Sequence, residues 1–147
     1  MNKAEIRVDP FVSVNGIAFG TSREALWKIL GKPEESFFKG DDDIETDIYG
    51  CYHIYYDSDY KFEAIEVVYV DEAEIYYDGE KVPDTYDGVL KFFQDRFEDV
   101  EEDGAGFISV KGSMGVYVED EDEYDTILFA RKDYYSDNGI FDLSSLN

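Results

Sequence analysis

The stretch IYGCYHIYYDSDYKFEAIEVVYV, residues 48–70, decides the fold. It holds two runs, Ile48–Tyr56 and Lys61–Val70, built from Ile, Val, Tyr and Phe. β-Branched and aromatic side chains fit a pleated, half-buried surface better than a helix. The polar residues Asp57–Tyr60 between the runs read as a turn, so the two runs predict an antiparallel hairpin. Ile48–Tyr56 is apolar on both faces and is expected as one central strand. Adjacent tyrosines in a strand point to opposite faces, so one of Tyr55 and Tyr56 is expected near solvent, as is one of Tyr76 and Tyr77.

Working outward, helix signals flank this hairpin on both sides. On the N-terminal side, Thr21–Leu30 reads as a helix. Thr21 and Glu24 are spaced as a capping box, and Ala25, Leu26, Ile29 and Leu30 share one face. Gly31 suits a left-handed cap and Pro33 blocks continuation. Trp27 lies off the centre of the apolar face and is expected to reach the surface. Before this helix, Phe11–Phe19 is β-rich and broken at Asn15-Gly16, a strong hairpin signal. On the C-terminal side, Glu74–Tyr77 and Glu80–Val82 flank Asp78-Gly79, a second such signal. Asp84–Phe97 follows as a helix, with Asp84 as N-cap and Tyr86, Val89, Leu90, Phe93 and Phe97 on one face. Phe107–Lys111, Gly115–Glu119 and Asp125–Lys132 then read as strands. In the tail Ser136–Asn147, Ile140, Phe141, Leu143 and Leu146 can pack it down.

The order predicts an α+β fold: a curved antiparallel sheet with two helices packed on one face, in one domain over 1–147. In outline there are two similar α-β-β-β halves, although residue identities do not match well enough to claim a repeat.

The charge narrows the partner. The 147 residues carry 13 Lys+Arg and 36 Asp+Glu, a formal net charge of −23. A nucleic-acid surface needs cations to displace counterions, and an anionic membrane surface would repel this chain. With 44% hydrophobic and 17% aromatic residues, the composition is that of a folded chain rather than a disordered acidic one. Solubility in a small domain is served by a net charge of magnitude about 2–8, so −23 exceeds that need. The excess favours an anionic surface that docks on a cationic partner.

Met1–Pro10 has no apolar core of a secretory signal, and no stretch approaches the roughly 20 apolar residues of a membrane helix. With Cys51 alone, no intramolecular disulfide forms. A cytoplasmic protein is the expectation.

Catalytic and metal readings find little. Cys51 lies in an apolar run and reads as a buried, inert thiol, and His53 as a core or edge-strand residue rather than a general base. No G-x-S-x-G elbow or phosphate-binding loop is present, and Gly104-Ala105-Gly106 lacks the glycine and helix that would make it one. Calcium loops beginning at Asp41 or Asp57 put Thr46 or Phe62 where glycine is required. One His and one Cys do not make a usual zinc site. No enzyme activity, metal or cofactor is expected, with weak Ca²⁺ binding between acidic loops left open.

The candidate partner-binding residues are those where acid and aromatic lie closest together: Asp41, Asp42, Asp43, Tyr55, Asp57 and Asp59. The run Glu119, Asp120, Glu121, Asp122 and Glu123 comes second. Exposed tyrosine with a charged rim is the usual makeup of a protein-binding hot spot.

The opening module, Asn15-Gly16-Ile17-Ala18-Phe19-Gly20-Thr21-Ser22-Arg23-Glu24 running to Leu30-Gly31-Lys32-Pro33, resembles the N-terminus of small acidic immunity proteins. These are the cytoplasmic antitoxins of bacterial polymorphic toxin systems, including those paired with LXG-type toxins. Size, acidity and tyrosine content fit them too. The resemblance implies neutralisation of a cognate toxin, often a nuclease with a basic active-site cleft, and implies no catalytic residues. The alternative is a DNA mimic, or another acidic module, acting on a basic host protein.

Overall fold

The computed structural model describes residues 3–38, 43–118 and 124–137. Its first strands are β1 (Ala4–Asp9), β2 (Ser13–Val14) and β3 (Ile17–Ala18). Asn15 and Gly16, both at positive φ, turn β2 into β3. Helix α1 (Arg23–Leu30) and a four-stranded meander follow: β4 (Glu35–Phe38), β5 (Glu45–Tyr49), β6 (Tyr52–Tyr56) and β7 (Phe62–Val67). The second half repeats this plan. A hairpin of β8 (Ala73–Tyr77) and β9 (Glu80–Lys81) turns at Asp78-Gly79, and α2 (Tyr86–Gln94) comes next. The second meander is β10 (Glu101–Asp103), β11 (Gly106–Ser109), β12 (Met114–Tyr117) and β13 (Thr126–Ala130). A short helix, α3 (Tyr134–Asp137), ends the described chain.

The expected α+β architecture is present, as two sheets rather than one. The larger has the order β10-β11-β12-β13-β7-β6-β5-β4, antiparallel throughout, with the two meanders joined at β7 and β13. The smaller has the order β3-β2-β1-β8-β9. Its β1–β8 pair is parallel, an exception to the expected antiparallel pairing.

Leu26 of α1 and Val89 and Phe93 of α2 join one core cluster. It also holds Ile54, Ile65, Val116 and Phe129 from the large sheet and Ile6, Val8 and Ile75 from the small one. Tyr55, Ala64, Ile108, Leu128 and Ala130, which alternate with these along their strands, form a second cluster with Tyr135 of α3.

The halves correspond more closely than the sequence suggests, each with four strands after its helix instead of three. Asn15, Ser22 and Leu26 each precede their counterparts Asp78, Thr85 and Val89 by 63 residues. Asn15 and Asp78 both have φ 52°. Ser22 and Thr85 both cap a helix through their side chains, and Leu26 and Val89 are both fully buried.

The helix starts differ from expectation by one residue. Thr21 is held extended, because Phe62 donates its amide to the Thr21 carbonyl and Gly20 donates to Phe62. The cap therefore passes to Ser22, whose Oγ accepts from the Ala25 amide, and the Thr21 hydroxyl donates to Ala18 O. Likewise Thr85, not Asp84, caps α2 by accepting from Gly88 N at 3.1 Å. A Cβ on Gly88 would meet that same Thr85 Oγ1 at 2.7 Å, which explains a glycine inside a helix.

Ile48–Tyr56 is not one strand. Gly50 takes φ 56°, the chain reverses at Gly50-Cys51, and Tyr49 pairs with Tyr52, their rings stacked. Asp57–Tyr60 does turn β6 into β7, as expected. The strands β1, β4 and β10 have no counterpart in the sequence reading. Most of the tail lies outside the described residues.

Gly106 carries the tightest backbone constraint: φ is 129°, and a Cβ there would lie 2.0 Å from the Val116 carbonyl oxygen. Gly104, two residues away, has open space. Gly106→Ala should cost more than about 2 kcal/mol in urea unfolding, while Gly104→Ala should stay within about 0.5 kcal/mol.

Candidate docking surface

Arg23, the first residue of α1, and Trp27, one turn later, both reach down to β5. There Asp47, completely buried, receives two hydrogen bonds from the Arg23 guanidinium at 2.6 and 3.0 Å. It also accepts from the Trp27 indole N–H at 2.7 Å, the Tyr56 hydroxyl at 2.6 Å and the Ser36 hydroxyl at 2.7 Å. One carboxylate thus ties α1 to β4, β5 and β6. Burial alone would push this carboxyl up, but the Arg23 guanidinium and the hydrogen bonds from Tyr56, Ser36 and Trp27 outweigh it, leaving Asp47 below the ordinary carboxylate range.

Above Asp47 the Arg23 guanidinium lies against the rings of Trp27 and Tyr60, 4.7 and 5.1 Å from their centroids. Ser22, Arg23, Glu24, Trp27, Asp59 and Tyr60 line a shallow open depression here. Trp27 is half-buried, so the expected surface tryptophan presents only part of its ring.

The structure places the candidate residues unevenly. Asp59 is exposed on the rim of this depression, and Asp43 is exposed two residues before β5. Both belong to one end of the large sheet, where the Glu45 amide at the start of β5 donates to the Tyr60 hydroxyl at 3.1 Å. Asp57 is partly committed: its Oδ1 accepts from the amides of Asp59 and Lys61 and so shapes the turn.

Tyr55 is a correction. It points to the opposite face from Tyr56, as adjacent strand residues must, but both are buried because both faces are covered. Tyr55 packs in the cluster beneath α3, and its hydroxyl donates to Glu66 at 2.7 Å. It does not share a surface with Asp57 and Asp59. Tyr76 and Tyr77 do follow the expected pattern, half-buried and buried.

Asp41, Asp42, Glu119, Asp120, Glu121, Asp122 and Glu123 lie outside the described residues. The strands flanking Glu119–Glu123 meet at the other end of the sheet: Ile127 pairs with Val67 at the end of β7, whereas the Asp57–Tyr60 turn precedes its start. Sequence reasoning put Trp27 near the surface but did not join it with Arg23 and Tyr60 into one shelf. The i, i+4 spacing of Arg23 and Trp27 on a capped helix was the available signal.

Cys51 is buried at the β5–β6 turn, and burial, with Glu72 nearby, pushes its thiol up and away from nucleophilic use. His53 sits half-buried on β6 with its ring edge-on to Phe37. Among the described residues, no group of three His, Cys, Asp or Glu could hold a metal ion, and no helix is long and apolar enough to cross a membrane. Comparison with protein families, characterised proteins and solved structures found no match to this chain.

Asp47→Ala should destabilise the protein by about 3–5 kcal/mol in denaturant unfolding, because Arg23 loses its buried partner. Its depressed carboxyl also sets a pH dependence. The stabilisation is complete above the unfolded aspartate value of about 3.9 and is lost as pH falls through the lower folded value. The acid limb of the unfolding curve should therefore flatten in Asp47→Asn.

Proposed function

We propose that this chain is a non-enzymatic antitoxin of the immunity-protein kind. It binds a toxin whose substrate cleft is basic, a nuclease being the clearest case, and occludes that cleft inside the producing cell. The observation that carries the reading is the junction of exposed carboxylates and aromatic shelf at one end of the large sheet, on a chain of net charge −23. Asp43 and Asp59 supply accessible negative charge, while Trp27, held by Asp47, and Tyr60, held by the Glu45 amide, supply rigid aromatic area.

The physical roles divide in a simple way. A nuclease must attract a polyanion, so its cleft is cationic, and an acidic surface competes for the same field. Long-range attraction raises the encounter rate, up to about 10⁸–10⁹ M⁻¹s⁻¹ at low salt. Aromatic and arginine contacts then hold the complex once water is excluded. Fast capture suits an inhibitor of a toxin lethal to its own cell.

The test is co-expression with toxins encoded beside this gene, followed by binding kinetics on the pair that restores growth. Asp43→Lys with Asp59→Lys should lower affinity about tenfold, chiefly through slower association, and should flatten its salt dependence. Unchanged affinity and salt dependence would remove the acidic-surface mechanism. Binding to several unrelated basic proteins in competition with DNA would mark a DNA mimic instead.

A further inference from the structure

The tandem plan gives each half a place where its helix start meets the residues leading into the fourth strand of its meander. In the first half that place is the Trp27–Tyr60 shelf. In the second half it is an open groove of about 270 Å³, where the lead-in to α2 (Asp84) meets the residues entering β13 (Tyr124 and Asp125). The segment leaving β7 closes the other side with Tyr69 and Asp71. The two places lie at opposite ends of the large sheet, because one adjoins the start of β7 and the other its end.

Two aromatic rings with different jobs shape the groove. Tyr124 is buried and fixed, its hydroxyl donating to the Pro83 carbonyl at 2.7 Å. Tyr69 is 56% exposed, one of the few large hydrophobic side chains open to solvent among the described residues. Asp71 and Asp84 bring carboxylates to its rim, Asp125 lines it beside them, and among the described lining residues Lys3 is the one cation. An exposed aromatic face beside several carboxylates matches a planar guanidinium, which stacks on the ring while its N–H fork meets the acids. A phosphate or other anion would meet repulsion there, and a purely apolar segment would strand the carboxylates.

We propose that this groove is a second docking site, taking an arginine side chain from a basic protein partner, so that one chain engages cationic protein at both ends of its large sheet. It rests on the reading of the protein as a binder of basic proteins, but its test needs no toxin. The probe is a hexa-arginine peptide titrated into the full chain at about 150 mM salt, where charges more than about 8 Å apart are largely screened. Amide chemical shifts should move in a saturable way at Val68–Asp71 and Tyr124–Asp125, as well as at the shelf. Tyr69→Ala with Asp84→Asn should weaken the groove contact about tenfold. Asp9→Asn, which removes the same single charge from an exposed site elsewhere, should change it less than about twofold.

The proposal is overturned if the shifts spread evenly over the acidic surface, or if the groove variant behaves like Asp9→Asn. Failure of every toxin to be neutralised, with the groove still taking the peptide, would sink the antitoxin reading and leave the groove standing.

Discussion

The buried carboxylate of Asp47 is the constraint on which the first half of the molecule depends. A charge placed in a core is costly unless its lone pairs are filled, and here Arg23, Trp27, Tyr56 and Ser36 fill them. Each donor comes from a defined place on α1, β4 or β6, so the helix is set in one rotation and one height over the sheet. Apolar packing around Leu26 would tolerate small slides of α1, but hydrogen bonds of 2.6 to 3.0 Å to one carboxylate do not. The Arg23–Trp27 part of the aromatic shelf inherits its geometry from that fixing.

The second half solves the same problem with a milder chemistry. Asp99, between α2 and β10, accepts from the Ser109 hydroxyl of β11 at 2.5 Å, so here the carboxylate comes from the segment after the helix and the hydroxyl from the sheet. Asp99 is half-buried and also accepts from the Lys111 amide, so its charge is less deeply enclosed than that of Asp47. The two halves thus share a backbone plan while differing in where they keep their acid: Arg23 stacks on Trp27 above Asp47, whereas Arg96 in the second half lies against Phe92 and pairs with Glu80.

Much of this was legible in the sequence, and what was not has physical causes. Asn15-Gly16 and Asp78-Gly79 announced their hairpins, because few residue pairs accept two left-handed conformations in succession. Both helices were visible from apolar spacing. Asp47 is hidden at the end of an acidic run, although Thr46 and Ile48 beside it belong to a strand. β1 shows a clear alternation, Ile6 and Val8 inward and Glu5 and Arg7 outward, yet nothing local says that its partner is β8. β10, composed of Glu101, Glu102 and Asp103, has the wrong side chains for a strand and is held by its backbone pairing to β11. Tyr55 misled because alternation reports a face, not whether that face is covered.

β1 also has a consequence for how the chain assembles. It lies between β2 and β8, pairing in parallel with a strand that begins at Ala73. The large sheet closes across β7 and β13, again between distant segments. Both seams join one half to the other, so neither sheet is complete until the second half has been made. During synthesis the first half carries β1 and β7 with one side of each unpaired. Such long-range closure slows folding and leaves open strand edges exposed in the interval.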